Sequence, residues 1–276
     1  MSNIKELLSN IRSVSLDSDI DAEGKNALIK YSRYLLSDEE DKEYDDLYEF
    51  LTWFGKKYIF PEVNSWVQDL RYHGNLNRIY DMGCGTGWLG TSLKNANQAG
   101  KSLKVTGVDR RKPSSYNGSK LGLDDWWNWD LEVDGEFKAF LRDQRIQTIS
   151  SSSKNLFIGS HFLHCVDNWK EIIKSCQSPW IIIEPTCLTG EEPYSQQLKH
   201  FGAEPLSEIV IEQAFLNSGF LMSKKEQIED QTLWMFLPLV EEPVKVCERK
   251  PEPVKASRKK GPQALVDLMN LREEKE

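Results

Sequence analysis

The chain has 276 residues, with 35 Lys and Arg against 43 Asp and Glu, a formal net charge of -8. That length holds one large domain with additions, or two small ones, and buries a substantial core without staples. The acidic balance speaks against coating nucleic acid or anionic membrane through bulk charge. No stretch approaches the roughly 18 apolar residues a spanning helix needs, and no signal-peptide core follows Met1. Cys84, Cys165, Cys176, Cys187 and Cys247 are scattered, with no Cys-x-x-Cys. Neither a disulfide framework nor a structural metal site is expected, and a reducing, cytoplasmic setting is.

Residues 1–75 read as a helical N-terminal extension. Leu7, Leu8 and Ile11 suit one amphipathic turn. Leu28, Ile29, Tyr31, Leu35 and Leu36 recur at spacings of three and four and suit a second helix. The acidic run Asp38–Asp41 reads as a solvated loop or helix start. A third helix holds Leu47, Phe50, Leu51 and Phe54, and Pro61 then breaks or restarts the chain.

From 76 to 240 short apolar runs alternate with amphipathic stretches, the pattern of an α/β domain. Candidate strands are 78–82, 103–109, 155–160, 180–184, 221–228 and 233–237, with one more near 126–131. Candidate helices are 87–97, 135–145, 168–175 and 207–218. Trp126, Trp127 and Trp129 read first as an aromatic plug in the core or rim.

The segment 241–276 differs again. Glu242-Pro-Val-Lys and Glu252-Pro-Val-Lys echo at ten residues, and 241–261 carries seven Lys and Arg against four Glu, a net +3. This reads as a flexible, extended basic linker. Leu265, Leu268, Met269 and Leu271 then share one side of a short helix. It either docks on its own domain or acts as a tethered peptide for a partner's groove.

The informative run is Asp81-Met-Gly83-Cys84-Gly85-Thr86-Gly87-Trp-Leu-Gly90, where a strand meets a glycine turn and a helix. Glycines there permit backbone angles that side chains forbid and let a ligand approach the helix N-terminus. Gly85-x-Gly87-x-x-Gly90 matches the dinucleotide fingerprint, with Asp109 as its ribose-binding acid and a nicotinamide cofactor as the consequence. In the other register a carboxylate, Asp81, precedes Gly83 by two residues. It would repel a pyrophosphate and suit a ligand with a cationic portion.

That second register resembles the first motif of the class I S-adenosylmethionine-dependent methyltransferases, which reads much like Asp-x-Gly-Cys-Gly-x-Gly. Val105-Thr-Gly-Val-Asp109 is similar to the family's second strand, and Ser160-His161-Phe-Leu-His164-Cys-Val-Asp167 to its Leu-His-x-x-x-Asp stretch. Pro179–Pro185, the Ser207–Phe220 helix and turn, and Thr232–Leu237 follow in the family's order. The resemblance covers about 76–240 and implies a seven-stranded, mostly parallel Rossmann-like sheet with an antiparallel final hairpin. It implies S-adenosylmethionine (SAM) as cofactor, with Asp81, Gly83, Cys84, Gly85, Thr86, Gly87, Asp109, Asp130 and Ser160 around it. Asp109 would hold the ribose hydroxyls and Asp130 would lie near the adenine.

Methyl transfer to a hydroxyl needs a proton removed, and His suits that near neutral pH. His161 follows the fourth strand, where the acceptor approaches in this family. His200 is placed like the catalytic His of plant-type O-methyltransferases, and both are candidate bases. His164 is expected to pack or cap. No Asn-Pro-Pro-Tyr motif follows Ser160, and no His/Asp/Glu cluster has metal spacing. The expected activity is methyl transfer to a small molecule, with no metal and no membrane. The alternatives are a non-catalytic SAM-fold interaction module, or a methyltransferase on RNA or protein tethered by the basic tail.

Overall fold

In the computed structural model the described residues are 20–37, 44–74, 76–97, 103–110, 122–143, 155–186, 194, 197–199 and 202–239. The expected turn around Leu7, the run Asp38–Asp41, His200 and the segment 241–276 lie outside them. The described residues belong to one compact unit that ends at Val240.

Helix α1 (Ala22–Leu36) starts at Asp21, whose side chain accepts from the Gly24 N–H at 2.7 Å and so satisfies an end donor. Its buried face is Gly24, Ala27, Leu28, Tyr31 and Tyr34. Ile29 and Leu36, expected on that face, are exposed. Tyr34, a residue with a polar tip, takes the inner position and turns the helix away from them. Helix α2 (Tyr44–Phe54) packs on α1, with the Tyr31 and Phe50 rings stacked at 4.5 Å. Among the described residues no helix is long and apolar enough to cross a membrane.

Pro61 does not break the chain. Helix α2 widens into a π-helical turn (Gly55–Ile59), in which the Phe60 N–H reaches back to Gly55 O, and then runs on as α3 (Phe60–Gly74). The extra residue in the wide turn makes room for the proline ring, and the first turn of α3 tolerates its missing N–H. Helix α3 lies within the expected helical extension, continuous with the helix before Pro61 instead of restarted after it.

The sheet comprises β1 (Arg78–Met82), β2 (Lys104–Asp109), β3 (Asp125–Asn128), β4 (Asn155–Ser160), β5 (Trp180–Pro185), β6 (Phe220–Ile228) and β7 (Gln231–Pro238). The order is β3-β2-β1-β4-β5-β7-β6. Neighbours pair in parallel except β7, which runs antiparallel to both β5 and β6. The expected seven-stranded, mostly parallel α/β sheet is thus present.

Strand side chains alternate between faces, and the core divides by that parity. Ile79, Leu156, Ile158, Ile181, Ile183, Leu233 and Met235 pack with Val63, Trp66 and Val67 of α3 and with Leu89 and Leu93 of α4 (Trp88–Ala96). Tyr80, Met82, Phe157, Trp180, Ile182, Trp234 and Phe236 face the other way. They meet α5 (Asp134–Asp143), α6 (Trp169–Ser175) and α7 (Glu208–Asn217). Trp127 and Trp129 pack on this second core as partly buried residues. Strand order reverses between β1 and β4, so their carboxyl ends leave a crevice, the usual ligand position in such sheets.

Candidate active site

The chain leaves β1 and turns at once through Gly83, Gly85 and Gly87, whose φ angles are 64°, 54° and 70°. L side chains avoid that region, so the glycines have a steric reason. The turn is pinned to β2. The Gly83 and Cys84 N–H groups donate to Val108 O at 2.8 and 3.2 Å, and the Gly85 N–H donates to Asp109 Oδ2 at 2.9 Å.

Asp81 lies beneath the turn, 3% exposed, and its Oδ2 accepts from the Gly90 N–H at 3.0 Å. A Cβ on Gly90 would stand 2.9 Å from that oxygen. The third glycine of the dinucleotide-like spacing is therefore explained by close approach to a carboxylate. Burial pushes the Asp81 carboxyl up to about 7, the charge of Asp109 adds to this, and the Gly90 hydrogen bond opposes it.

A cleft of about 550 Å³ opens at these strand ends. Of the sequence-predicted residues, Asp81, Gly83, Cys84, Gly85, Asp109, Asp130, Ser160 and His161 line it. Thr86 and Gly87 do not. Gly87 caps the start of α4, and the Thr86 side chain turns to α2, where its Oγ1 and the Tyr48 hydroxyl lie 2.9 Å apart. Tyr48 itself lines the cleft, as do Trp88, Arg110, Glu132 and His164, none of which sequence reasoning singled out as site residues. At the far wall the Glu132 N–H donates to Asp130 Oδ1 at 3.1 Å, and the Asp130 N–H donates to Glu136 Oε2 at 2.7 Å.

After β4, His161 adopts a left-handed φ of 52°, a strained backbone for a non-glycine. Its ring rests on Tyr194 at 4.4 Å, and its Nε2–H donates to Gln231 Oε1 at 2.6 Å. Burial lowers this imidazole to about 4, and His164 adds to that against the opposing pull of Glu184 and Gln231.

His164, in a 3-10 turn (Leu163–Cys165), has the opposite character. Its Nδ1–H donates to Glu184 Oε2 at 2.6 Å, with both side chains 1% exposed. Glu184 Oε1 accepts from the Leu163 N–H at 2.7 Å. Burial alone would lower the His164 imidazole, but Glu184 and the Cys165 thiol outweigh it and raise the group to about 10. His164 Nε2 is buried with no hydrogen-bond partner. The expectation that His164 merely packs or caps misses this pairing. Its partner lies twenty residues downstream, on the next strand.

No protein-family model matches the chain, and no curated protein matches it. Among solved structures it is similar to an O-methyltransferase family protein from Burkholderia thailandensis. That likeness has TM-score 0.52 and 12% identity, over 87% of this chain and 71% of the other. The fold is that of the class I SAM-dependent methyltransferases. A second solved structure is magnesium protoporphyrin IX methyltransferase from Synechocystis PCC 6803 with bound S-adenosylhomocysteine. Its TM-score is 0.44 at 14% identity, over 84% of this chain and 93% of the other. A third is a SAM-dependent methyltransferase from Archaeoglobus fulgidus, at TM-score 0.44 and 15% identity, over 80% and 90%.

Proposed function

We propose that the protein transfers the methyl group of SAM to a small-molecule acceptor in the cleft. The observation that carries this reading is the carboxylate pair around the glycine turn, Asp81 below it and Asp109 beside it. A diphosphate would meet two acids there, which argues against a nicotinamide cofactor. A cation and a ribose suit them.

The residues present fit SAM. Asp81 offers a buried carboxyl to the cationic amino-acid end. Asp109 has oxygens that accept from ribose hydroxyls, and Asp130 lies on the wall assigned to the adenine. Gly83, Cys84 and Gly85 leave the space for close approach, and Ser160 borders it from β4. When bound, SAM supplies an electrophilic methyl on a sulfonium. The chain's task is to hold an acceptor in line with it and to exclude water. His161 is the acceptor-facing base in this reading. Its low basicity suits an acidic hydroxyl, and an acceptor that arrives ionised needs no base. His200 lies outside the described residues. The cytoplasmic setting belongs to the same reading, supported by the scattered spacing of the five cysteines.

Two measurements test it. Calorimetry with SAM is expected to show one-to-one binding that NAD(P) does not disturb; absence of binding by folded protein overturns the reading. Methyl-labelled SAM in a fractionated cell extract is expected to mark the small-molecule fraction. Label confined to RNA or protein overturns the small-molecule acceptor.

A further inference from the structure

We infer that the His164–Glu184 pair is an oxyanion-holding subsite, in which His164 Nε2–H donates to a carboxylate or similar oxyanion of the methyl acceptor. This rests on the methyltransferase reading of the cleft and names its acceptor class.

Glu184 grips the ring at Nδ1 from the sheet side, and Glu184 does not line the cleft while His164 does. The nitrogen left over is Nε2, on the opposite edge of the ring, buried and without a partner. A buried polar atom in that state calls for a ligand group to complete it. An imidazole whose other nitrogen already donates to a carboxylate, and which stays protonated, offers Nε2 only as a donor. The missing partner is therefore an acceptor, and an ionised oxygen makes the stronger bond. The neighbouring His161 is held neutral, its ring 6.4 Å away, so it does not compete for the anion as a second cation.

Position assigns the oxyanion to the acceptor. The residues proposed for the cofactor come mostly from the ends of β1, β2 and β3. His164 follows β4 and is held by β5, across the strand-order reversal. The cofactor's own carboxylate is the other possible source of the same chemistry, and the experiment separates the two.

Protein with 15N-labelled histidine rings, saturated with S-adenosylhomocysteine, is titrated with sodium formate and, in parallel, with formamide. Formate is small enough to enter whatever the acceptor's shape. The His164 ring is expected to carry protons on both nitrogens, and its Nε2 resonance to move saturably with formate and far less with formamide. Glu184→Gln, which keeps the volume but removes the charge, is expected to abolish that response. A ring lacking one proton, or equal responses to the two probes, overturns the proposal.

In the second arm, His164→Gln is expected to change the S-adenosylhomocysteine Kd by less than about threefold. A loss of about tenfold or more assigns the oxyanion to the cofactor's carboxylate and overturns the acceptor assignment. If His164→Gln fails to fold because Glu184 is left as an unpaired buried charge, the double variant with Glu184→Gln carries the same measurement. Wild-type protein that does not bind S-adenosylhomocysteine sinks the methyltransferase reading, and with it the assignment of the oxyanion to a methyl acceptor, but not the oxyanion site itself. Formate titration without it then still reads the His164 site.

Discussion

Asp81 and Asp109 line one cleft, and Asp81 is the more deeply buried of the two. Asp81 holds its proton up to about 7 in the folded chain, against 3.8 for a free carboxyl. A group raised on folding stabilises fully below its unfolded pKa, and that contribution is lost as pH climbs through the folded value. The melting temperature of ligand-free protein is therefore expected to fall between about pH 4 and about pH 7 by a share that Asp81→Asn removes. Ionised Asp81 suits a cationic ligand, so S-adenosylhomocysteine affinity should rise over the same window in wild type and stay flat in Asp81→Asn. Calorimetry at a series of pH values reads both slopes. Asp109→Ala removes the ribose acceptor of the proposed function and the anchor of the Gly85 N–H. The expected loss of affinity is about tenfold to a hundredfold, the worth of one or two hydrogen bonds to a charged group. These two acids were legible in the sequence because each ends a strand beside a glycine signal. His164 was present as a letter, but its charge was not. Glu184 sets that charge from twenty residues away, as Gln231 engages His161 from seventy.

At the scale of elements, the glycine turn and α4 form one packed joint. Gly90→Ala would place its Cβ 2.9 Å from Asp81 Oδ2 and Leu123 Cδ2 and 3.0 Å from Val105 Cγ1. Overpacking of this kind costs about 1–3 kcal/mol, and here it also displaces the carboxylate. Denaturant melts should show the stability loss, and calorimetry a weakened cofactor affinity with it. Six of the seven strands were readable within a residue or two from short apolar runs, while β3, expected near 126–131, spans Asp125–Asn128. The π-turn before Pro61 was not. A proline ordinarily signals a helix end, and only the packed α2–α3 pair shows that the helix widens instead. Likewise the periodicity of α1 marked a helix, while the choice of Tyr34 over Ile29 and Leu36 for its inner face came from α2.

For the whole molecule, the N-terminal helices are part of the core of the α/β body. Ile59, Val63, Trp66 and Val67 cover one sheet face, and Tyr48 reaches the glycine turn. Removing residues before 76 strips those four buried side chains, each worth about 1.5–3 kcal/mol. Together they approach the stability of a typical domain. The truncated chain is expected to be insoluble or to lack a cooperative melt by circular dichroism; a soluble, SAM-binding 76–276 fragment would contradict this. By itself the sequence determined the alternation of strands and helices, the glycine turn and the acids at two strand ends. Those features are local, imposed by backbone sterics and side-chain period. Only the tertiary structure decided that Tyr48 from α2 completes the cleft, that Thr86 and Gly87 stand outside its lining, and that the two histidines after β4 are shifted in opposite directions, His161 down and His164 up. Burial and the pairing of distant side chains set those properties, and neither is written in any single stretch of chain.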